Sequence, residues 1–177
     1  MRTFHLFLSA VMLMSMTSCF AQTTAKAVPT AAKATETLEW HTDVMKANEL
    51  SRKTNKPIFA FFTGSDWCGW CKKLQRDVFA KPEFVAWAKE NVILLELDFP
   101  RAKVLPEELK QQNAQLQQSF GVRGYPTIWM FYLRGEEPSK YEIEALGSCG
   151  YPQNAAQGNE QVKFLQDANA ILVNKAK

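Results

Sequence analysis

Residues 58–72 read IFAFFTGSDWCGWCK, and this stretch decides the fold. Its first six residues, Ile58 to Thr63, form an unbroken apolar run rich in Phe. A run of that length without alternation fits a central strand buried on both faces. Gly64, Ser65 and Asp66 then supply turn and cap residues. The thiols of Cys68 and Cys71 follow, at the start of a segment whose Leu74 and Val78 have helical spacing. Strand, turn and helix start are therefore predicted in that order, with both cysteines at the last junction.

The chemistry of that junction follows from its position. Two thiols separated by two residues at a helix start lie close enough to close a small disulfide ring. The helix N-terminus carries partial positive charge, which favours thiolate over thiol. Cys68 lies at the open end and is the expected nucleophile. Cys71 lies one turn further in and is the expected resolving thiol. Lys72 and Lys73 add positive charge. A c-type haem would require His after the second cysteine, and position 72 is Lys. A metal centre needs further ligands, for which Cys149, His41 and carboxylates are the candidates; no metal or other cofactor is expected. A purely structural disulfide of this size would close little loop entropy.

Outward from this centre, alternating elements are expected. Trp40, Val44, Ala47 and Leu50 suggest a helix over 40–53, capped by Thr42 or Asp43 and ended by Asn55, Lys56 and Pro57. Pro82 suits the first turn of another helix, with Phe84, Val85 and Trp87 inward. A strand is expected over 92–99 and a loop over 100–106. A helix follows over 107–120, anchored by Leu109, Leu116 and Phe120. Strands over 127–133 and 141–146 flank a turn at 134–138, and a helix closes the chain over 159–173. Helix-linked strands imply parallel pairing and the short turn implies an antiparallel hairpin. The expected fold is α/β, a mixed four-stranded sheet flanked by helices.

A second motif, Gly121-Val122-Arg123-Gly124-Tyr125-Pro126-Thr127, precedes the third of these strands. Together with the 64–72 stretch, it makes residues 37–177 resemble the thioredoxin superfamily. The likeness is greatest to extracytoplasmic thioredoxin-like thiol:disulfide interchange proteins that carry Gly-Ser-Asp-Trp-Cys-x-x-Cys-Lys. The resemblance implies that Pro126 is cis and packs against the Cys68–Cys71 pair. It also implies that the Tyr125 backbone pairs with an extended substrate peptide. Trp67 and Trp70, with Gly69 between the thiols, are the expected substrate platform. Two departures stand out. The family's buried Asp, six residues before the first cysteine, is Phe62 here, and its usual Lys partner aligns with Leu94. The dipeptide between the cysteines is Gly69-Trp70 instead of Gly-Pro.

The chain has 177 residues and four cysteines, Cys19, Cys68, Cys71 and Cys149. Residues 1–21 have a basic start at Arg2, an apolar stretch over 4–16 and small residues after it, the pattern of an export signal. Cleavage after Ala21 and lipidation of Cys19 are both open readings. Residues 22–36, QTTAKAVPTAAKATE, carry no large apolar side chain and are expected to be a flexible tether. The mature protein is thus expected in the periplasm or another extracytoplasmic space, where disulfides persist. If Cys19 is removed or lipidated, three cysteines remain, so one lies outside the Cys68–Cys71 pair. Cys149 is expected to be a buried, inert thiol.

A formal net charge of +3, of which Arg2 supplies one, argues against nucleic acid as a partner. The leading expectation is an enzyme exchanging thiols and disulfides with protein cysteines and recharged by an upstream redox partner. The alternatives are a redox-inactive peptide-binding module of the same fold and a metal-handling protein.

Overall fold

The computed structural model describes residues 37–135 and 141–174. The expected export signal, the whole of the expected tether (residues 22–36) and part of the 134–138 turn lie outside the described residues.

Two residues, Trp40–His41, form a short strand β1. Helix α1, Val44–Thr54, starts behind Asp43, whose carboxylate accepts from the amides of Met45 at 2.7 Å and Lys46 at 3.4 Å. It ends where Asn55 turns left-handed at φ 55°. Strand β2, Ile58–Thr63, is buried at every position. Helix α2, Gly69–Leu74, continues into a π-helical turn, Gln75–Phe79, followed by α3, Pro82–Asn91, and strand β3, Ile93–Asp98. Then come α4, Glu107–Ser119, the hairpin β4, Thr127–Arg134, and β5, Glu142–Cys149, and α5, Glu160–Asn174.

The strands form one mixed sheet in the order β1-β3-β2-β4-β5. β2 runs parallel to β3 and antiparallel to β4, and β4 pairs antiparallel with β5. The expected architecture stands with one strand more than foreseen. Trp40 and His41 do not begin a helix; they add a parallel edge against Leu94 and Leu95. The spacing of Trp40 and Val44 mimics one helical turn, but the Asp43 cap interrupts it. The indole of Trp40 instead packs against Phe59, Phe61 and Phe79.

β5 runs three residues beyond the expected end at Leu146, to Cys149. Its pairing shifts between Met130 and Phe131, which face Gly147 and Ala145, so Leu146 is the extra residue of a bulge. Gly147 suits this strand because a Cβ there would lie 3.2 Å from the Ile171 side chain of α5.

The two faces of the sheet carry separate cores. One gathers Phe59, Phe61, Leu74, Phe84, Leu94, Met130 and Phe164, and includes both Cys68 and Cys71. The other gathers Ala47, Ile58, Ala60, Phe62, Leu95, Leu97 and Phe131. The π-helical turn serves the first. It buries the successive residues Val78 and Phe79 together, and Phe79 stacks on Phe84 with centroids 4.6 Å apart.

This division corrects one expectation. Phe62 is fully buried, as its position demands, but Leu94 lies in the core on the opposite face. The two do not face each other as substitutes for an ion pair. Strand register explains this, because Phe62 pairs with Leu97 and Leu94 pairs with Phe59.

Candidate functional site

β2 delivers the chain to Gly64, and the next eight residues make the site. Amide N–H groups of Trp67 and Cys68 both donate to the Gly64 carbonyl, at 3.2 and 2.8 Å. The Trp67 indole folds back over Gly64, where a Cβ would come within 2.5 Å of the ring. Glycine is required by that close approach. The indole N–H then donates to the Phe99 carbonyl at 2.9 Å, which ties the turn to the loop after β3.

Cys68 is the N-cap of α2, and Cys71 sits inside its first turn. Their sulfurs are joined in a disulfide, with Cα atoms 5.3 Å apart. The Cys71 amide N–H donates to Cys68 Sγ at 3.1 Å. The same donor would stabilise a Cys68 thiolate once the disulfide is reduced. Cys68 is less exposed than a helix-start residue suggests, at 5%, against 0% for Cys71. The order of accessibility is the expected one, but the sulfur pair is nearly covered in the oxidised form.

Apolar surface lies on both sides of the pair. Trp67 is 39% exposed and Trp70 58%. Gly69 leaves open space, since a Cβ there would meet nothing within 4 Å. The Tyr125–Pro126 bond is cis. The Tyr125 ring meets Trp67 edge-on at 5.8 Å, stacks on Phe99 at 5.2 Å, and accepts a hydrogen bond from Gln117 on its hydroxyl. Trp67, Tyr125 and Phe99 are thus one aromatic unit. Trp70 belongs to another, edge-on to Tyr151 at 5.2 Å.

Several contributors escaped the sequence reading. Asp66 accepts backbone N–H groups from Arg101, Ala102 and Lys103. These hydrogen bonds, that of Ala102 foremost, hold its carboxyl below the usual range. The Arg101 guanidinium lies 3.9 Å over the Trp67 ring. On the other side, Lys73 donates to Asp77 at 2.7 Å and to the Tyr151 hydroxyl, which itself donates to Asp77 at 2.9 Å. Lys73, with Arg76 and Tyr151, holds the Asp77 carboxyl down to about 2. Apart from Lys73 and Arg76, which lie within four residues of Asp77, the partners lie 34 to 78 residues apart in the chain, and local spacing does not announce them.

Two carboxylates share the sheet face of Cys71. In register, Glu96 stands beside Phe61 and Asp98 beside Thr63. Asp98 accepts from the Ser65 amide at 2.8 Å and its hydroxyl at 2.6 Å, and so supports the turn from beneath. Glu96 is half-buried, and burial, with Asp98 nearby, raises its carboxyl above the ordinary value. Among the described residues, no three His, Cys, Asp or Glu side chains gather as a metal-binding group.

Cys149 lies at the end of β5, opposite Ile128, and is only partly buried, where full burial was expected. Burial, with a smaller contribution from Asp167, pushes its thiol up to about 12. At pH 8 this leaves about one thiolate in ten thousand. Reduced native protein treated with iodoacetamide is expected to leave the Cys149 peptide unlabelled in mass spectra, and denaturant should unmask it. Labelling of Cys149 at the rate of Cys68 would contradict so raised a thiol pKa.

A thioredoxin-like domain model matches residues 44–142. The disulfide bond reductase DsbH of Chlamydia pneumoniae is 35% identical over 114 residues, which cover 64% of this chain and 68% of that protein. The thioredoxin-related protein DsbJ of the same organism is 29% identical over 113 residues, covering 64% of this chain and 32% of its own length. A solved DsbH oxidoreductase superposes with a TM-score of 0.66 at 28% identity, covering 82% of this chain and 92% of that one. A thioredoxin from Thermus thermophilus superposes at 0.54 with 14% identity, over 78% of this chain and 89% of that one, a likeness of fold alone.

Proposed function

The chain belongs to the thioredoxin-like domain family, and from that premise we propose that it is a thiol:disulfide oxidoreductase that reduces disulfides of extracytoplasmic proteins. One observation carries the reading. Cys68 and Cys71 share a disulfide at the start of α2, with the Cys71 N–H directed at Cys68 Sγ and exposed tryptophans on either side. The similarity to a disulfide bond reductase supports the reductive direction. The signal-like pattern of residues 1–21 supports an extracytoplasmic location, with Cys19 as the site of any lipid.

In the reduced chain, the Cys68 thiolate attacks one sulfur of the substrate disulfide. A mixed disulfide forms and the first substrate thiolate leaves. The Cys71 thiolate then attacks Cys68 Sγ, closes the Cys68–Cys71 disulfide and releases the second substrate thiolate, which takes a proton from water. An upstream dithiol partner returns the pair to the reduced form. Trp67 and Trp70 receive the substrate chain, and the Tyr125–Pro126 segment pairs with its backbone.

Insulin reduction tests this. The reduced chain is expected to precipitate insulin catalytically in the presence of dithiothreitol, and Cys68→Ser to fall to the uncatalysed rate. The pair's potential should lie nearer about −270 mV than −120 mV, the reducing end of the thioredoxin-fold range. Full insulin turnover by Cys68→Ser would refute the assignment.

A further inference from the structure

We infer that the rim around Cys68 selects acidic polypeptide segments flanking the target disulfide; this rests on the oxidoreductase reading above. Arg2, Lys26, Lys33 and Glu36 account for two of the three net positive charges, so residues 37–177 carry a formal charge of only +1. The charge around the site is far less balanced. Three loops border the two tryptophans. The loop 99–106 holds Trp67 through Phe99 and Arg101, the loop 121–126 reaches it through Tyr125, and the loop 150–159 meets Trp70 through Tyr151. None of these loops contains an Asp or Glu, whereas they contribute Arg101, Lys103 and Arg123.

The side chains on this rim use their charge sparingly. Lys73 and Arg76 share the single carboxylate of Asp77. Lys72 instead donates to the Asp66 carbonyl at 2.9 Å, Lys103 to the Ser65 hydroxyl at 3.2 Å, and Arg101 lies over an indole. Arg123 is exposed two residues before Tyr125. The carboxylates nearby, Asp66 held by three backbone amides, Asp98 held by Ser65, and half-buried Glu96, offset part of this charge but are fewer than the cations. Four cations, Lys72, Arg101, Lys103 and Arg123, thus surround an apolar platform without a side-chain ion pair among the described residues, with Glu96 within electrostatic reach of Lys103. Such a rim attracts an extended segment that brings acidic residues beside its cystine, and it repels a basic one.

The experiment uses the reduced full chain and two synthetic peptides with the same cyclic disulfide, flanked by Asp residues in one and Lys residues in the other. Bis(2-hydroxyethyl) disulfide serves as a neutral reference. At about 20 mM salt the acidic peptide should be reduced at least about tenfold faster than the basic one, with the ratio approaching one near about 0.5 M salt. Arg123→Glu, and separately the double variant Arg101→Glu/Lys103→Glu, should lower or invert the ratio after normalisation to the neutral reference. Lys53→Glu makes the same charge change on α1, where Lys53 pairs with Glu49, and should leave the ratio unchanged. Equal rates for the two peptides at low salt, or a ratio indifferent to Arg123→Glu, would overturn the inference while exchange with the neutral disulfide kept the oxidoreductase reading intact. Absence of exchange with all three disulfides would remove both.

Discussion

Cys71→Ser is expected to convert a turnover enzyme into a trap. Cys71 is fully buried one turn inside α2 and bonded to Cys68. In the mixed disulfide it would be the thiol held beside Cys68 Sγ, while Cys149, at the edge of the same core, is held protonated at neutral pH by its raised pKa. A serine hydroxyl cannot displace a thiolate from a disulfide. Resolution then depends on thiols from solution, which lack the advantage of a reactant already in place. That advantage is large for well-oriented groups, so the mixed disulfide should persist at least about a thousandfold longer. Non-reducing gels of Cys71→Ser with a substrate protein should show a covalent complex that dithiothreitol dissolves. No such complex should form with Cys68→Ser/Cys71→Ser. Rapid resolution in Cys71→Ser would mean that another nucleophile serves the site.

The second large effect concerns stability. Phe62 is fully buried, stacks on Phe99 at 6.4 Å and meets Phe120 edge-on at 6.1 Å. Phe62→Asp removes those contacts, a loss of about 3–5 kcal/mol by comparison with truncations of buried Phe. It also places a carboxyl where the surrounding side chains are Ala47, Ala60, Leu97 and Phe131. Desolvation raises the folded-state pKa of the new carboxyl above its unfolded value near 4. Between those two values the folded state binds more protons than the unfolded state, so stability falls as pH rises. Each pH unit across this window adds about 1.4 kcal/mol to the deficit, which levels off above the folded pKa. Urea unfolding of Phe62→Asp from pH 4 to 8 should therefore show a growing loss relative to the parent. Phe62→Leu, which keeps an apolar side chain, should cost less than about 1.5 kcal/mol and show no such slope. Parent-like stability of Phe62→Asp at pH 7 would place position 62 outside the core.

Phe62→Asp should also fail to assist Cys71, because the two lie on opposite faces of the sheet. Here the family alignment misled by one strand register. Counting six residues back from Cys68 found a buried position, but the count cannot tell which face a side chain takes when an entire strand is apolar. The same limit hid Glu96, whose place on the Cys71 face follows from pairing with Phe61.

Other features were legible because their signal is contiguous. β2 announces itself by five apolar residues before Thr63, and the thiol pair by its place after them. The ends of α1 were legible to within a residue or two, Asp43 as one of two cap candidates and Asn55 as the first of the residues that stop it. β1 could not, since two residues offer no period and Trp40 sits one helical turn before Val44. The end of β5 was obscured by Gly147 and Gly150, which look like a turn until the bulge at Leu146 and the approach of Ile171 supply another reason for Gly147. The setting of Trp67 and Trp70, with Arg101, Tyr151 and Asp77, exists only after distant loops meet.

The short β1 has a consequence for self-association. It covers β3 only at Leu94 and Leu95, so among the described residues the outer edge from Glu96 to Asp98 has no strand beside it. A bare edge is a template for a neighbouring molecule's strand. This one carries two carboxylates, and Asn113 caps the Asp98 carbonyl at 2.9 Å. The opposite border of the sheet, β5, bears Glu142 and Glu144. Two copies approaching border to border would bring Glu96 and Asp98 toward Glu142, while Glu144 is paired with Arg134, so carboxylates would oppose that contact. Acidification weakens that protection, and first at Glu96, whose carboxyl already holds its proton more tightly than usual.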